Sequence, residues 1–417
     1  MHGLLLRLGW RWLLVVLGTL ALPGAAQAQA SISGEVRDSL TQAPLAFASV
    51  FLANTTRGAT TDAQGRFTLP NVPAGSYDVV CSYLGYRLAR RGVQVGAAPV
   101  TVQLRPAPLS QQLAGVVVRP HRNRPEDYQR FVELFVGTTA FSGQCRIRNP
   151  DGVRVDFDPG SGELTAEAYD YLQVDNAALG YRIRFYGLHF QINFREQVQS
   201  YYAWPVFEEL PTKSAARRAR WAANRLTAYR GSLPHFLRSV RTGQLTEEGF
   251  VANRLRRVPN PRWVRADSLL SLERQRHAGE VWHPADSLLQ RLREPPQYAY
   301  LYTRPLPADS LRRPSADGHA LLLRFRDLVQ VTYLREPPDP AYALPHRVGE
   351  PAARPEQQVS VLHLLLPAIA ITPTGQLLDP LAVFTEGYWG FERIGELLPV
   401  DYEPPADGGV GRAGKKE

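Results

Sequence analysis

Short runs of alternating apolar and polar residues fill the region from residue 31 to residue 105. Alternation with a period of two turns one face of an extended chain inward, so each run predicts a strand. Asp62-Ala63-Gln64-Gly65 and Pro73-Ala74-Gly75 supply turns between runs. Seven short strands with turn residues between them predict a compact antiparallel β-sandwich. The predicted strands are 32–36, 46–53, 58–61, 66–69, 77–83, 87–95 and 100–104.

Residues 126–402 carry longer patterns, which predict a larger β-rich α+β domain with a helical insertion, so the whole chain is predicted to be mainly β. Residues 181–185 alternate, the phase breaks at Tyr186-Gly187, and alternation resumes over residues 188–194. This break predicts a bulge that keeps one apolar face. His189 falls on the polar side of the strand. We expect a surface histidine there, because no second metal ligand is spaced near it.

The helical insertion is predicted to begin with Thr212 as the capping residue and to end at Gly231. Ser232 is then expected to cap a second helix. One face of the first helix is basic, and such a face can meet anionic lipid headgroups. Its apolar stripe is mostly alanine and too weak to insert, so a solvated face is favoured. The stripe comprises Ala215, Ala219, Ala222, Leu226 and Tyr229, and the basic face comprises Arg217, Arg218, Arg220 and Arg225.

The first thirty residues have the order of a secretory signal peptide: Arg7 and Arg11, then the apolar run 12–22, then Ala-Gln-Ala. The run is short for a membrane span, although a retained signal acting as an anchor is the alternative. We expect a mature chain that starts near Gln29 or Ser31 and is exported to the periplasm or the outer membrane. The longest later apolar run, 361–371, is also too short to span a bilayer, which predicts a soluble or peripheral protein.

The net charge of +9 comes almost entirely from arginine, since lysine occurs only at positions 213, 415 and 416. No basic recognition motif accompanies the charge, and an exported protein rarely meets nucleic acid, so we expect no nucleic-acid partner. The two cysteines are Cys81 and Cys145. Two buried unpaired thiols are favoured, and an interdomain disulfide stays open as the alternative.

Several short motifs in residues 31–105 occur together: Ile32-Ser33-Gly34, Asp62-x-x-Gly65-x-Phe67, Pro73-x-Gly75-x-Tyr77 and Tyr83-Leu84-Gly85-Tyr86. With them, this region resembles the carboxypeptidase-like regulatory domain, a transthyretin-like sandwich of exported proteins of Gram-negative bacteria. The resemblance covers about a fifth of the chain. It implies a sandwich fold without catalytic residues.

The predicted organisation is a signal peptide (1–30), the regulatory sandwich (31–105), a linker with one short strand (106–125), the β-rich α+β domain (126–402) and a flexible tail (403–417). Residues 335–358 are expected to form a flexible loop. The second domain is similar to the uncharacterised C-terminal region of short exported regulatory-domain proteins, which implies architecture and compartment only. The segments that carry this similarity are 145–150, 176–181, 229–238 and 387–389.

A zinc metallocarboxypeptidase is the enzymatic alternative. His277-Ala278-Gly279-Glu280 has the His-x-x-Glu spacing of zinc carboxypeptidases, and Asn149-Pro150-Asp151-Gly152 is similar to one of their pocket segments. The order of the two motifs is reversed relative to that family, and nothing singles out a third ligand among His283, His319 and His363. Zinc hydrolysis needs metal, base and open coordination position together. We therefore predict a protein that is not an enzyme, with no catalytic, metal or cofactor-binding residues and no cofactor.

Five aromatic residues offer flat surfaces on which sugar rings can stack: Tyr201, Tyr202, Trp204, Tyr388 and Trp389. Packing in a core or hinge is the favoured interpretation for them. The sequence thus predicts a non-catalytic cell-envelope protein, a module that interacts with an envelope protein or a polysaccharide. A glycan-binding accessory protein of an outer-membrane uptake system is the second alternative.

Overall fold

The computed structural model describes residues 30–109, 123–196, 198–278, 283–318, 320–343 and 355–405. The expected signal peptide, the short strand predicted in the linker and most of the predicted tail therefore lie outside the described residues. Part of the predicted loop at 335–358 lies outside them as well. The described chain is mainly β, as predicted, and it is built in three parts.

The first part is the predicted sandwich of seven strands in two sheets. One sheet has the order β4-β1-β7 and the other β3-β2-β5-β6. The pairs are antiparallel except β1 with β7, which run parallel, so the prediction of a wholly antiparallel sandwich was wrong at this pair. The strands are β1 (Ala30–Val36), β2 (Ser49–Leu52), β3 (Gly58–Thr60), β4 (Arg66–Val72), β5 (Gly75–Ser82), β6 (Ala89–Val95) and β7 (Val100–Leu104).

Close approach of strands explains the glycine in the opening motif. Gly34 sits in β1 between β4 and β7. A Cβ atom at Gly34 would lie 1.9 Å from the carbonyl oxygen of Val102 in β7. Only glycine therefore allows the two backbones to come this close. Ile32 and Val36, on the same strand, are fully buried in the sandwich core.

The second part is a six-stranded sheet covered by a helix that the sequence analysis missed, α1 (Pro125–Val136). Phe131 and Phe135 of α1 are buried against Phe190 and Phe185 of the sheet, with ring centroids 5.4 and 5.2 Å apart. The register shifts between Tyr186 and His189, which confirms the predicted bulge. The strands are β8 (Cys145–Ile147), β9 (Val153–Asp158), β10 (Glu163–Ala168), β11 (Tyr171–Asn176), β12 (Tyr181–Asn193) and β13 (Val198–Glu209).

Helix α2 (Ala215–Tyr229) is the predicted first helix of the insertion, and its capping residue is Ser214 rather than Thr212. The Ser214 side chain accepts a hydrogen bond from the Arg217 backbone N–H. Arg225 was wrongly placed on the solvated face. Its guanidinium donates to the carbonyl of Leu179 at 2.8 Å and lies 3.9 Å from the centre of the Tyr181 ring, so it ties α2 to the second part.

The third part contains a five-stranded sheet of order β15-β14-β18-β19-β21 and a three-stranded sheet of order β16-β17-β20. The predicted second helix is present as α3, and Ser232 caps it as expected. The elements are α3 (Leu233–Thr242), β14 (Phe250–Pro259), α4 (Pro261–Arg276), α5 (Asp286–Leu292), β15 (Gln297–Leu301), α6 (Ala308–Leu311), β16 (Arg312–Pro314), β17 (Leu321–Leu323), β18 (Leu328–Tyr333), β19 (Gln358–Leu364), β20 (Ile369–Ile371), β21 (Val383–Gly387) and α7 (Tyr388–Phe391).

Packing within residues 126–402 divides into two cores. One core lies between α1 and the six-stranded sheet. The other joins α3 to the five-stranded sheet around Phe236, Phe250 and Trp389. The single domain predicted over this range stays a prediction. Every helix among the described residues is too short or too polar to cross a membrane.

Candidate functional site

The sandwich is held against the rest of the chain by the turn at residues 53–57. Asn54 donates its backbone N–H to the carbonyl of Pro205 at 2.6 Å and accepts one from Val400 at 2.8 Å. The Thr55 carbonyl accepts a hydrogen bond from the backbone N–H of Phe207 at 2.9 Å. We call these turn residues the clamp turn. Since backbone bonds run from it both to β13 and to the C-terminal segment, its position is fixed from two sides.

A small apolar cluster lies beside the clamp turn. Phe51, Ala53 and Val80 of the sandwich are buried against Tyr186 of the six-stranded sheet. The rings of Phe51 and Tyr186 have their centroids 4.9 Å apart. Burying apolar area stabilises the contact without adding polar cost. The sandwich is therefore an integral part of the fold rather than a separately tethered module.

A cavity of about 210 Å³ lies where the three parts meet. The clamp turn, helices α2 and α3 and the segment that follows α7 all contribute to its wall. The wall combines aromatic rings with charged groups, a mixture typical of ligand sites. The aromatic and charged residues of the wall, together with Asn54 of the clamp turn, are Tyr229, Arg238, Trp389, Glu392, Arg393, Glu396 and Tyr402.

Two carboxyl groups in this wall hold protons more tightly than ordinary glutamates. Burial raises the pKa of Glu392 well above its usual value, and the neighbouring carboxylates of Glu396, Glu336 and Asp339 raise it further. Burial also raises the pKa of Glu396, to about 7. A carboxyl that is neutral near pH 7 can donate a hydrogen bond, which an ionised one cannot do.

Glu396 is also fixed in position. The Thr139 hydroxyl donates to its carboxyl group, and the backbone N–H of Arg393 lies 3.3 Å from its other oxygen. Both bonds favour the charged form and limit the rise of its pKa. The wall therefore contains Glu396, whose carboxyl group is held in position by hydrogen bonds, and Glu392, whose carboxyl group lies near other acidic side chains. This arrangement can exchange protons near neutral pH.

The contribution of Glu392 and Glu396 to the free energy of unfolding should fall as the pH rises from about 4.5 to 8, whereas His235, whose pKa is lowered by burial, acts in the opposite sense within this window. In that window the folded protein retains protons on Glu392 and Glu396 that the unfolded chain has already released. Raising the pH therefore stabilises the unfolded state relative to the folded state. Glu396 alone should contribute on the order of 3 kcal/mol. Glu386, whose pKa is lowered by the hydrogen bond from Arg257, acts in the opposite sense below this window.

Urea unfolding across this pH range tests the expectation. Glu396→Gln should flatten the profile, whereas Glu196→Gln, at an exposed glutamate, should leave it unchanged. Identical profiles for the wild type and Glu396→Gln between pH 4.5 and 8 would contradict the assignment.

The structure describes only some of the residues named for the enzymatic alternative. His277 caps the end of α4, with its Nε2 atom 3.7 Å from a carboxylate oxygen of Glu273, while Glu280 and His319 lie outside the described residues. His363 lies in β19, with its Nε2 atom 2.6 Å from Glu386. His283 is exposed. Within the described residues, no group of three or more His, Cys, Asp or Glu side chains could hold a metal ion.

The polar residue His189 is on the surface of β12, with its ring 3.0 Å from Glu167, where the alternation predicts it. Cys81 and Cys145 are free and buried, which confirms the favoured interpretation. Burial raises the pKa of both thiols to about 12. They are therefore protonated and unreactive at neutral pH.

The five candidate aromatic residues have different surroundings. Tyr388 and Trp389 are buried, and Trp389 donates its Nε1 hydrogen to the carbonyl of Gly231 at 2.7 Å. Trp204 is half-buried next to the small apolar cluster. Only Tyr201 and Tyr202 are exposed among the five, by 40 and 42%. Core and hinge packing thus accounts for three of them.

A surface that the sequence analysis missed is formed by α4, α5 and β15, which we call the α4–β15 lobe. Strand β15 is the edge strand of its sheet, and all five of its residues are exposed. Of the 21 exposed large apolar side chains among the described residues, eight belong to the lobe or to Tyr302 next to it. These eight are Val264, Leu269, Leu272, Leu289, Tyr298, Tyr300, Leu301 and Tyr302. Single exposed apolar residues are ordinary, but such a concentration marks an interaction surface.

Comparison with known families matches residues 31–105 to the carboxypeptidase regulatory-like domain. These residues are a carboxypeptidase regulatory-like domain. The match confirms the resemblance stated for these residues and leaves the rest of the chain uncharacterised. No curated protein sequence matches the chain.

Solved structures show only remote likenesses. A pilus 2b backbone protein of group B streptococcus is 21% identical over 20% of this chain and 42% of its own, with a TM-score of 0.18. A putative carbohydrate-binding protein of Bacteroides uniformis is 12% identical over 43% of this chain and 79% of its own, with a TM-score of 0.16. A putative membrane-associated protein of unknown function from Bacteroides fragilis is 12% identical over 86% of this chain and 93% of its own, also with a TM-score of 0.16. This chain thus spans less than half of the pilus protein, and likenesses at these scores carry no argument about function.

Proposed function

We propose that this protein is an exported, non-catalytic interaction protein of the cell envelope, and that the α4–β15 lobe is the surface that meets its partner. The observation that carries the proposal is the concentration of exposed apolar side chains on this one lobe. The order of the first thirty residues supports export. The regulatory-like domain at residues 31–105 supports the non-catalytic role, since the resemblance implies a domain without catalytic residues.

The edge position of β15 strengthens the proposal. Exposed edge strands are usually protected by charged residues or proline, because their free backbone groups pair with other chains. Residues 297–301 contain neither, and their side chains are exposed on both faces. A strand of this kind gains stability from whatever covers it. The partner is therefore expected on this side of the lobe.

The proposal predicts that purified protein binds to envelope fractions through the lobe. Leu269→Gln combined with Leu272→Gln should reduce the bound fraction several-fold, because it removes exposed apolar area that contact would bury. Sedimentation with isolated envelope measures the bound fraction. Leu378→Gln combined with Leu381→Gln is the matched control, since those leucines are 61 and 62% exposed outside the lobe. Equal loss in both double variants, or no sedimentation of the wild type, would refute the proposal.

A further inference from the structure

One face of helix α4 combines apolar and basic side chains in a single stripe. Arg265, Leu269, Leu272 and Arg276 follow one another at steps of four, three and four residues, which places them along one side of a helix. Leu269 and Leu272 are 42 and 51% exposed. Two exposed leucines therefore lie between two arginines on this face.

The buried side of α4, roughly a third of a turn around the helix from the stripe, shows how the helix is held. Ala266 and Leu270 are the buried residues of the helix. Asn260, which caps α4, also donates its side-chain NH₂ group to the carbonyl of Pro295 just before β15. The helix is thus anchored at its start and through its buried side, which leaves the stripe free.

Strand β15 also combines apolar surface with nearby arginines, through its tyrosine rings. Tyr298 and Tyr300 share one side of the strand because they are two residues apart. Arg256 of β14 is paired directly with Tyr300. Arg254 lies 4.8 Å from the centre of the Tyr302 ring. Amphipathic rings beside arginines are typical of the boundary between water and lipid.

The lobe is basic only together with the strand beside it, β14, because residues 261–301 alone contain six arginines and five acidic residues, a net charge of +1. Residues 250–304 contain ten arginines, no lysine and five acidic residues, a net charge of +5 out of the chain's +9. Arg256 and Arg265 are exposed. The positive charge of the lobe together with β14 therefore complements an anionic surface, and the apolar groups of the lobe complement a surface with an apolar interior.

We propose that the α4–β15 lobe docks on an anionic lipid bilayer, with its leucines and tyrosines in the headgroup region and its arginines against lipid phosphates. This inference rests on the proposed function and names the partner of the same surface. The aliphatic side chains favour lipid over polysaccharide or nucleic acid, because leucine gains little from stacking on a flat ring but gains from acyl chains. Helix α2 offers the internal contrast, since its exposed arginines have no exposed leucines among them.

Vesicle sedimentation tests the inference directly. The processed protein, purified after export and checked by N-terminal sequencing, is mixed with phosphatidylglycerol–phosphatidylcholine vesicles or with pure phosphatidylcholine vesicles at low salt. Binding to the anionic vesicles should be at least about tenfold stronger. Arg256→Glu with Arg265→Glu should abolish this preference, and Leu269→Gln with Leu272→Gln should weaken binding to both lipids. The matched charge control is Arg217→Glu with Arg220→Glu on α2, which should bind like the wild type.

Each result decides one of the two proposals. Binding to envelope fractions without binding to vesicles would overturn the lipid inference and leave the proposed function standing, as would capture by an acidic polysaccharide or by nucleic acid instead. A dimer in light scattering that the leucine variant dissociates would overturn it in favour of a second copy. If the α2 control lost as much vesicle binding as the lobe variant, binding would depend on the overall charge of the protein and not on the lobe. That result would also overturn the lipid inference. Circular dichroism of each variant confirms that the fold is retained.

Discussion

Gly34→Ala should destabilise the sandwich by about 3 kcal/mol, because its new methyl group would have to displace backbone. The Cβ atom would lie 1.9 Å from the Val102 carbonyl oxygen, and a strand cannot give way as a flexible side chain does. We expect the pairing of β1 with β7 to open or the two strands to shift. Urea unfolding followed by circular dichroism measures the change.

Gly58→Ala is the matched control in the same sandwich. Its Cβ atom would meet nothing closer than 3.5 Å, which is ordinary contact. The control should unfold within about 1 kcal/mol of the wild type. Similar unfolding of both variants would show that the close approach at Gly34 does not determine stability.

Trp389→Ala should lower the free energy of unfolding by about 3–5 kcal/mol, the range for removing a large buried aromatic side chain. Trp389 is 7% exposed, packs against Phe236 with ring centroids 5.4 Å apart, and lines the cavity. It also donates a hydrogen bond to the Gly231 carbonyl. Its loss therefore removes packing and leaves a buried acceptor without that donor.

Trp389→Phe separates the two contributions, since it retains a ring and removes the donor. We expect it to cost about 1–3 kcal/mol, clearly less than alanine. Thermal and urea unfolding of the three proteins give the comparison. Equal losses for phenylalanine and alanine would mean that the hydrogen bond, and not packing, holds this position.

The sandwich could be predicted strand by strand because its signals are local. Each strand is short and alternating, and turn residues such as Gly65 and Pro73 stand between strands. Its bounds from the motifs agree with the family match. What the alternation could not show is the parallel pairing of β1 with β7, because pairing between distant strands leaves no mark in either run.

The cavity could not be predicted, because its wall is assembled from distant segments. Thr139 reaches Glu396 across 257 residues of sequence, and Asn54 lies far from both. No spacing rule joins such positions. Helix α1 is different, since Phe131 and Phe135 recur at a helical interval and the signal was present in the sequence.

The lobe was missed for a third reason. Leucines at helical spacing, as in α4, are usually core residues, and the pattern does not tell an inward stripe from an outward one. The structure shows that the buried positions are Ala266 and Leu270, whereas Leu269 and Leu272 are exposed. Whether a leucine of α4 is exposed depends on which other elements pack against the helix, and this is a property of the tertiary structure.

The clamp turn has a consequence for biogenesis. Thr56 donates its hydroxyl hydrogen to Asp401 at 2.7 Å, across 345 residues of sequence. The N-terminal sandwich can complete its own core early, since its strands are contiguous. Its contacts with the C-terminal segment form only after residues 400 and 401 have been synthesised. A chain cut short before that point therefore folds its sandwich without the hydrogen bonds that Val400 and Asp401 make to the clamp turn.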